Sequence, residues 1–445
     1  VKRVHFIGIG GAGMSGIAEV LLTLGYSVSG SDIHPSAVTE RLARLGATVF
    51  DGHRAEHIRG AQVVVVSTAV SPDNAEVQEA RRQQIPVIPR AEMLAELMRL
   101  KYGIAVAGSH GKTTTTSLIA ALLAAAGLDP TFVVGGRVNQ AGAHARLGKG
   151  EFIVVEADES DGSFLLLAPV ISVVTNIDRE HLDHYRDLAG LQASFVEFIN
   201  KVPFYGAAIL CADDSNLRAV LPRIKRRVLT YGLAADADCS ATDVAVKGWE
   251  SEFRFFDRGA DLGRFRLPLA GRHNVLNALA ALAVTRELNL PVAAVRDALA
   301  TFAGVGRRLE VKAKRGGIMV LDDYGHHPAE IRATLEAVRG CGFKRLLVLF
   351  QPHRYTRTQH LWDDFLGCFG QADLLVVTDI YAASESPIPG ITSAALVEAL
   401  QRAGQPNVTH CSTPEAAVEF ILPRVQPGDA VLTLGAGSIG RAGDL

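Results

Sequence analysis

The feature that most constrains this chain is a glycine turn between a short apolar run and an alanine-rich stretch. Ile104–Ala107 predicts a buried strand, Gly108–Gly111 a tight turn, and the segment from about Thr114 to Ala126 a helix. Glycines let backbone N–H groups face phosphate oxygens, and a helix N-terminus adds positive potential. Lys112 follows the turn, where its ammonium would reach the β- and γ-phosphates, and the Thr113 hydroxyl would bind Mg²⁺. The stretch therefore predicts a site for a nucleoside triphosphate with Mg²⁺.

This turn is shorter than the general phosphate-loop pattern. That pattern has a further glycine upstream of the Gly-Lys pair, and Val106 stands at the corresponding position. The loop therefore has the short form Gly-x-x-Gly-Lys-Thr, which predicts phosphate binding and leaves the use of the phosphate open. The candidate ATP-loop residues are Gly108, Ser109, His110, Gly111, Lys112, Thr113 and Thr114.

The bulk composition excludes several classes of protein. A chain of 445 residues predicts about two to four domains, and its 48% hydrophobic and 21% charged residues are ordinary for a globular protein. The net charge of −2 argues against a protein that mainly binds nucleic acid. Five cysteines without a CxxC spacing favour a reducing cytosol. There is no charged-then-apolar leader and no apolar run of about 18 residues, so we expect a cytoplasmic protein without membrane insertion.

A second glycine-rich loop lies near the start of the chain. Gly8, Gly10 and Gly13 follow a predicted buried strand, and Asp32 lies about 20 residues further on, as in the dinucleotide fingerprint. The physical requirement is a diphosphate at a helix N-terminus, which NAD and a UDP-sugar both satisfy. Ser67 and Arg90 end two further predicted strands, where loops at the carboxyl edge of a sheet would meet the same ligand.

An acidic cluster follows another predicted strand. Glu156 ends that strand, and Asp158, Glu159 and Asp161 come directly after it. Such carboxylates repel one another unless a cation lies among them, and Glu156 stands where an acid completes an Mg²⁺–triphosphate site. His181 leaves the next predicted strand, although Mg²⁺ prefers oxygen ligands to imidazole.

The last third of the chain alternates strands and helices, which predicts a parallel, doubly wound sheet. Two of its strands end in polar runs at residues 322–328 and 351–357. Acidic, imidazole and guanidinium groups at consecutive strand ends indicate a site, which includes Arg354 and Arg357.

Together these motifs resemble the Mur ligase family along essentially the whole chain. The resemblance rests on Gly8–Ser15, the short loop Gly108–Thr114, Glu156–Asp161 and the run Asp322–Pro328. The first and last of these are most similar to the alanine-adding members. The resemblance implies an α/β fold of three domains: a Rossmann-like UDP-binding domain at 1–100, a central mononucleotide-binding ATPase domain at 101–308, and a C-terminal Rossmann-like, amino-acid-binding domain at 309–445.

The resemblance also implies roles for matching residues. ATP would contact the short loop together with Asn274, Asn277, Arg308 and Asp323, and Thr113, Glu156 and His181 would bind Mg²⁺. The UDP-sugar and alanine would contact Gly8, Gly10, Gly11, Gly13, Met14, Ser15, Asp32, Ser67, Arg90, Tyr324, His326 and Arg354. The implied catalytic residues are Lys112, Glu156, His181, His326, Arg354 and Arg357, with His326 the candidate base for the alanine amine.

The implied reaction is ATP-dependent ligation of L-alanine to UDP-N-acetylmuramate through an acyl phosphate, by a monomer or weak homodimer. Three alternatives stay open at this point. The N-terminal fingerprint permits an NAD-dependent oxidoreductase, although the second nucleotide loop at Gly108 argues against it. A non-catalytic ATP-binding switch would bind without turnover. A related ligase would attach a whole tripeptide to the same nucleotide sugar.

Overall fold

The computed structural model describes residues 2–67, 69–138 and 143–445. The strands of these residues form sheets of five, ten and six strands. The chain divides into two compact units. Unit 1 contains Val1–Thr242, Arg254–Phe265 and Leu276–Ala303, and unit 2 contains Asp243–Phe253, Arg266–Val275 and Gly304–Leu445.

The five-stranded sheet is parallel throughout and lies in unit 1. Its strands are β1 (Arg3–Ile7), β2 (Ser27–Asp32), β3 (Thr48–Asp51), β4 (Val63–Val66) and β5 (Val87–Pro89), in the order β3-β2-β1-β4-β5. Helices α1 (Ala12–Thr23), α2 (Ala37–Arg44), α3 (Ala75–Arg82) and α4 (Arg90–Met98) alternate with them. Because Ile7 pairs with Ser31 and Val66, the segments that follow β1, β2 and β4 emerge at one edge of the sheet.

The ten-stranded sheet begins with β6 (Tyr102–Ala107) and has the order β15-β14-β13-β12-β11-β10-β6-β9-β7-β8. Its other strands are β7 (Thr131–Val138), β8 (Ala143–Arg146), β9 (Phe152–Glu156), β10 (Ile171–Val174), β11 (Ala207–Cys211), β12 (Val228–Gly232), β13 (Cys239–Lys247), β14 (Glu250–Asp257) and β15 (Ala260–Leu267). The helices of this part are α5 (Lys112–Ala125), α6 (Leu182–Tyr185), α7 (Leu188–Asn200), α8 (Ser215–Val220), α9 (Arg272–Glu287) and α10 (Val292–Ala300). Parallel pairing of β6 with β9 and β10 brings three loop starts together at one edge.

The six-stranded sheet lies in unit 2 and has the order β16-β17-β21-β18-β19-β20. Its strands are β16 (Glu310–Arg315), β17 (Ile318–Asp323), β18 (Arg345–Phe350), β19 (Leu374–Val377), β20 (Val408–His410) and β21 (Asp429–Leu434). The helices are α11 (Pro328–Gly340), α12 (Tyr355–His360), α13 (Trp362–Leu366), α14 (Ser393–Arg402) and α15 (Pro414–Ile421).

One detail of this sheet differs from the predicted all-parallel arrangement. The edge strand β16 pairs antiparallel with β17, while the other described pairings of the sheet are parallel. Two glycines with positive φ, Gly316 at 58° and Gly317 at 77°, join the two strands. A two-residue connection of this kind makes a hairpin, which only antiparallel strands can share.

The predicted α/β class with three sheet-centred parts is confirmed. The apolar runs Val63–Val66 and Ile104–Ala107 form interior strands of their sheets, as continuous hydrophobic sequence predicts. The predicted buried strand at Val4–Ile7 is also an interior strand. The proposed limits at residues 100 and 308 stay a prediction. Among the described helices, none combines the length and apolar character needed to cross a lipid bilayer.

Candidate active site

The short loop between β6 and α5 depends on two glycines. Gly108 has φ 130° and Gly111 has φ 81°, which are left-handed conformations that L side chains rarely adopt. A Cβ atom on Gly108 would lie 2.1 Å from Thr175 Oγ1, and one on Gly111 would lie 2.4 Å from Asn277 Oδ1. The turn therefore requires glycine at both positions, and Asn277 of α9 packs directly against the phosphate loop.

The residues that follow β10 hold the loop in shape. Asn176 accepts hydrogen bonds from Ser109 N at its carbonyl oxygen (3.1 Å) and from His110 N at Oδ1 (2.8 Å). The Asn176 amide and the Thr175 hydroxyl donate in return to the His110 carbonyl, at 3.0 and 2.5 Å. The His110 ring lies 2.9 Å from an Asp178 oxygen. Sequence reasoning did not predict that Thr175 and Asn176 hold the loop. The feature that could have indicated it is their position directly after β10, the strand that pairs with β6.

Lys112 is largely buried at the start of α5. Its Nζ donates to the carbonyl oxygens of Gly108 (2.6 Å) and Ser109 (3.3 Å) and lies 2.8 Å from Glu159 Oε1. Burial opposes its charge, but the carboxylates of Glu159, Asp158 and Glu156 together hold the pKa of Lys112 above its ordinary value. The ammonium is therefore charged and directed at the loop carbonyls, and its contact with the ATP phosphates stays a prediction.

The acidic cluster contains its own counter-charges. Glu159 is only 1% exposed, and its second oxygen has no hydrogen-bond partner among the described residues. Burial raises the pKa of the Glu159 carboxyl, while Lys112 acts against that rise. Asp158 lies 3.4 Å from Arg90 of α4. Lys112 and Arg90 thus supply cations to two of the clustered carboxylates, Glu159 and Asp158.

Glu156 is oriented by two donors. Thr113 Oγ1 donates to its Oε1 at 3.1 Å, and Gly135 N donates to its Oε2 at 2.8 Å. A threonine hydroxyl and a carboxylate in contact are oxygen donors of the kind that Mg²⁺ prefers. The pair therefore fits the predicted metal site.

His181 lies beside a second group of carboxylates. It has φ 55°, and its Nε2 lies 3.9 Å from both Glu159 Oε1 and Glu180 Oε2. One ligand atom from each of the three residues falls within 4.8 Å of the others, so the group could hold a divalent cation. Sequence reasoning did not single out Glu180, which needed the fold to bring it to Glu159.

The two asparagines predicted to contact ATP, Asn274 and Asn277, belong to different units of the chain. Asn277 Oδ1 accepts from Thr115 Oγ1 at 3.3 Å, within unit 1. Asn274 belongs to unit 2, where its amide donates to the Ala270 carbonyl at 2.8 Å near the start of α9. Thr114 is buried on the first turn of α5.

The N-terminal glycine loop is held by its own sheet and by Arg90. Asp32 Oδ2 accepts from Gly10 N at 2.8 Å. A Cβ atom on Gly13 would lie 2.6 Å from an Arg90 guanidinium nitrogen, so any larger residue there would displace this guanidinium from its present place against the start of α1. Met14 and Ser15 are buried, and Ser67 is partly buried. Arg90 therefore contacts both this loop and Asp158 of the acidic cluster, which places the two predicted sites side by side.

In unit 2, rings and guanidinium groups gather at the ends of β17 and β18. The His326 and His353 ring centroids lie 5.7 Å apart, and His353 stacks on Tyr381 at 5.5 Å. Burial and the neighbouring His326, Arg357 and Arg354 lower the pKa of His353 to about 3, so its Nδ1 accepts from Arg357 Nη1 at 3.1 Å. Arg354, at φ 69°, donates its N–H to the Tyr381 carbonyl. Tyr381 had no sequence signal.

Arg308 and Asp323 lie next to the segment Tyr324–Gly325, which follows β17. The Arg308 guanidinium is 5.4 Å from the Tyr324 ring centroid and 3.8 Å from Glu330. Asp323 is buried and accepts from the N–H groups of Leu309 and Gly325, both at 2.8 Å. Asp323 therefore shapes the loop that carries Tyr324, and its predicted contact with the ATP ribose stays a prediction.

His273 provides a pH-dependent prediction for unit 2. Burial and the Arg308 charge lower the pKa of His273 to about 4, whereas an unfolded chain protonates histidine near 6.5. The unfolded state therefore binds more protons between these values, and unit 2 should lose up to about 3 kcal/mol as pH falls from 7 to 4. Urea unfolding followed by tryptophan fluorescence measures this, because Trp249 and Trp362 both lie in unit 2.

His273→Gln should reduce that acid-induced loss relative to the unchanged chain. The matched control is His34→Gln, which alters an exposed histidine of unit 1. Equal losses between pH 7 and 4 in the unchanged chain and in His273→Gln would contradict the assignment.

Three domain models of one protein family match successive stretches of the chain. The Mur ligase family catalytic domain matches residues 3–102, the Mur ligase middle domain matches 106–285, and the Mur ligase glutamate ligase domain matches 307–437. The chain belongs to the Mur ligase family. The resemblance seen in the four sequence motifs is thereby confirmed.

This Mur ligase has close relatives over its full length. It is 61% identical to the UDP-N-acetylmuramate–L-alanine ligase of Solibacter usitatus (strain Ellin6076), covering 100% of this chain and 94% of that protein. It is 56% identical to the enzyme of the same name from Geobacter sp. (strain M21), covering 100% and 96%. The crystal structure of UDP-N-acetylmuramate–alanine ligase from Thermotoga maritima matches with a TM-score of 0.84 at 28% identity, over 99% of this chain and 97% of that one.

Proposed function

We propose that this Mur ligase joins L-alanine to the lactoyl carboxylate of UDP-N-acetylmuramate with ATP and Mg²⁺, the activity that names its full-length relatives. The observation that carries the proposal is the contact of a phosphate-loop lysine with an acidic cluster. Lys112, Thr113, Glu156 and Glu159 meet at one sheet edge, which suits transfer of a phosphoryl group between two anions.

The first step activates a poor electrophile. The lactoyl carboxylate attacks the γ-phosphorus of ATP, and the bond from this phosphorus to the β,γ-bridging oxygen breaks. ADP is released, and the carboxylate becomes an acyl phosphate. Lys112 stabilises the charge that develops on the phosphoryl oxygens, because its ammonium is already directed into the loop. Thr113, Glu156 and His181 would hold Mg²⁺, which neutralises phosphate charge when bound.

The second step forms the amide. The neutral amine of L-alanine attacks the acyl carbon, and the tetrahedral intermediate expels inorganic phosphate. We assign Arg354 and Arg357 to anionic groups of the substrates, because fixed guanidinium groups pair well with carboxylate and phosphate oxygens. His326 is the assigned acceptor of the amine proton, and its Nδ1 lies 3.1 Å from the Tyr324 carbonyl.

The UDP moiety belongs, in this proposal, to the N-terminal loop. The first turn of α1 leaves N–H groups without intrahelical partners, and Arg90 supplies a cation beside Gly13. We also propose a UDP-binding domain at 1–100, an ATP-binding domain at 101–308 and an amino-acid-binding domain at 309–445. The proposed location is the cytoplasm, and the proposed oligomeric state is a monomer or weak homodimer.

An ADP-release assay with each substrate omitted in turn tests the proposal. Release should require ATP, UDP-N-acetylmuramate and L-alanine together, and the product should be the alanyl nucleotide sugar by mass spectrometry. Offering the tripeptide L-alanyl-γ-D-glutamyl-meso-diaminopimelate in place of L-alanine is the matched control, and it should give little product. ADP release without the nucleotide sugar, or preference for the tripeptide, would overturn the assignment.

A further inference from the structure

A buried carboxylate that the reaction does not use lies beneath the N-terminal loop. Glu76, near the start of α3, is 0% exposed. Its Oε2 accepts from Ser31 Oγ at 2.6 Å and lies 3.1 Å from His53 Nδ1. Its Oε1 lies 3.0 Å from His57 Nδ1 and 3.5 Å from His5 Nε2. One carboxylate thus joins side chains from β1, β2 and the segment after β3.

This carboxylate is ionised and acts only as an acceptor. Burial by itself would raise the pKa of Glu76, but the contacts with His5, Ser31 and His57 hold that pKa below its ordinary value. Well-packed apolar residues would support a core at least as well as such a polar group. The arrangement is therefore better explained by what it positions than by stability alone.

Ser31 links Glu76 to the glycine loop. The Ser31 carbonyl oxygen accepts from Gly8 N at 2.8 Å and from Ile9 N at 3.0 Å. The next residue, Asp32, accepts from Gly10 N at 2.8 Å. Three successive N–H groups of the loop are therefore hydrogen-bonded to the end of β2. Glu76 in turn binds that end of β2 by accepting a hydrogen bond from the Ser31 hydroxyl.

We propose that Glu76, acting through Ser31, is a positioning residue that sets the shape of the N-terminal loop for the diphosphate of the nucleotide sugar. The inference rests on the proposed function, which assigns the UDP moiety to this loop. Glu76 touches no substrate. Its effect is to hold the loop so that the first turn of α1 and Arg90 meet the diphosphate without further rearrangement.

The test compares steady-state kinetics of Glu76→Gln and Ser31→Ala with the unchanged enzyme. Glu76→Gln places an amide N–H₂ group where an accepting oxygen now faces histidine, and Ser31→Ala removes the link itself. Each should raise KM for UDP-N-acetylmuramate about tenfold. The kcat and the KM values for ATP and L-alanine should stay within about twofold, because the loop at Gly108 is held by other residues.

Two controls separate positioning from general loosening. Glu79→Gln makes the same chemical change one turn along α3, at a residue paired with Arg82. Ser29→Ala removes a hydroxyl that contacts His5 at 2.8 Å while leaving the Glu76–Ser31 bond intact. Both should leave the KM for UDP-N-acetylmuramate within about twofold. Circular dichroism and thermal melting confirm that each variant is folded, and Ser31→Ala carries the test if Glu76→Gln does not fold.

A Gly13→Ala variant separates the positioning role of Glu76 from UDP binding at the N-terminal loop. Its Cβ atom would meet Arg90, so KM for the nucleotide sugar should rise if the loop binds UDP. No rise would mean that the proposed function is wrong at this loop. A rise with Gly13→Ala but none with Glu76→Gln or Ser31→Ala would overturn the positioning role alone. Equal increases of all three KM values in Glu76→Gln would also overturn it.

Discussion

Replacing Lys112 by methionine should lower kcat by at least about a thousandfold, because one fixed charge that stabilises the developing phosphoryl oxyanion is lost. Methionine keeps the length and much of the volume of the lysine stem but removes the ammonium. In the present structure that ammonium is held by the Gly108 and Ser109 carbonyl oxygens and by Glu159. The measurement is L-alanine-dependent ADP release at saturating substrates.

The control for Lys112→Met is Lys225→Met, which changes an exposed lysine of the same unit and should retain activity within about twofold. Some loss of stability is expected in Lys112→Met, since Glu159 remains buried without its counter-charge. Activity is therefore compared at a temperature where thermal melting shows both variants folded. Retention of more than a tenth of kcat would rule out the assigned role.

Replacing Glu156 by glutamine should raise the Mg²⁺ concentration needed for half-maximal activity at least about tenfold. Glutamine preserves one oxygen that can accept from Thr113 or Gly135, so one of the two hydrogen bonds is kept. It removes the negative charge that a hard divalent cation requires. Activity is measured against Mg²⁺ concentration at constant free ATP.

Asp161→Asn is the matched control for Glu156→Gln, because Asp161 belongs to the same acidic segment. Its Oδ1 accepts from Ser163 N in a local turn, which asparagine can also do. Its Mg²⁺ dependence should change by less than about threefold. An unchanged Mg²⁺ dependence in Glu156→Gln would remove Glu156 from the metal site.

The phosphate loop illustrates how far sequence reasoning reaches. A strand, a glycine turn, a lysine and a helix are contiguous in the chain, so their local geometry follows from backbone sterics and helix polarity. The structure accordingly contains β6, two glycines with positive φ and α5 in the expected places. The same reasoning predicted that Glu156 ends a strand, as β9 does.

The side chains that contact the phosphate loop could not be predicted from the local sequence. Asn277 packs against Gly111, and Asn176 binds His110, although each pair is far apart along the chain. Which strand lies beside β6 is decided by the packing of the whole sheet, and that order determines which side chains reach the loop. The antiparallel edge strand β16 was missed for a related reason, since its pairing with β17 is decided in the folded sheet.

The sequence by itself determined the family, the α/β class, the two glycine loops and the chemical types of the site residues, because each depends on neighbours along the chain. Only the tertiary structure decided that Lys112 pairs with Glu159, that Arg90 joins Gly13 to Asp158, and that Glu76 holds Ser31. These contacts depend on burial and on distances between atoms of separate elements. Desolvation in the folded chain is what makes the Glu159 and Glu76 contacts matter, since a buried charge must find its partner there.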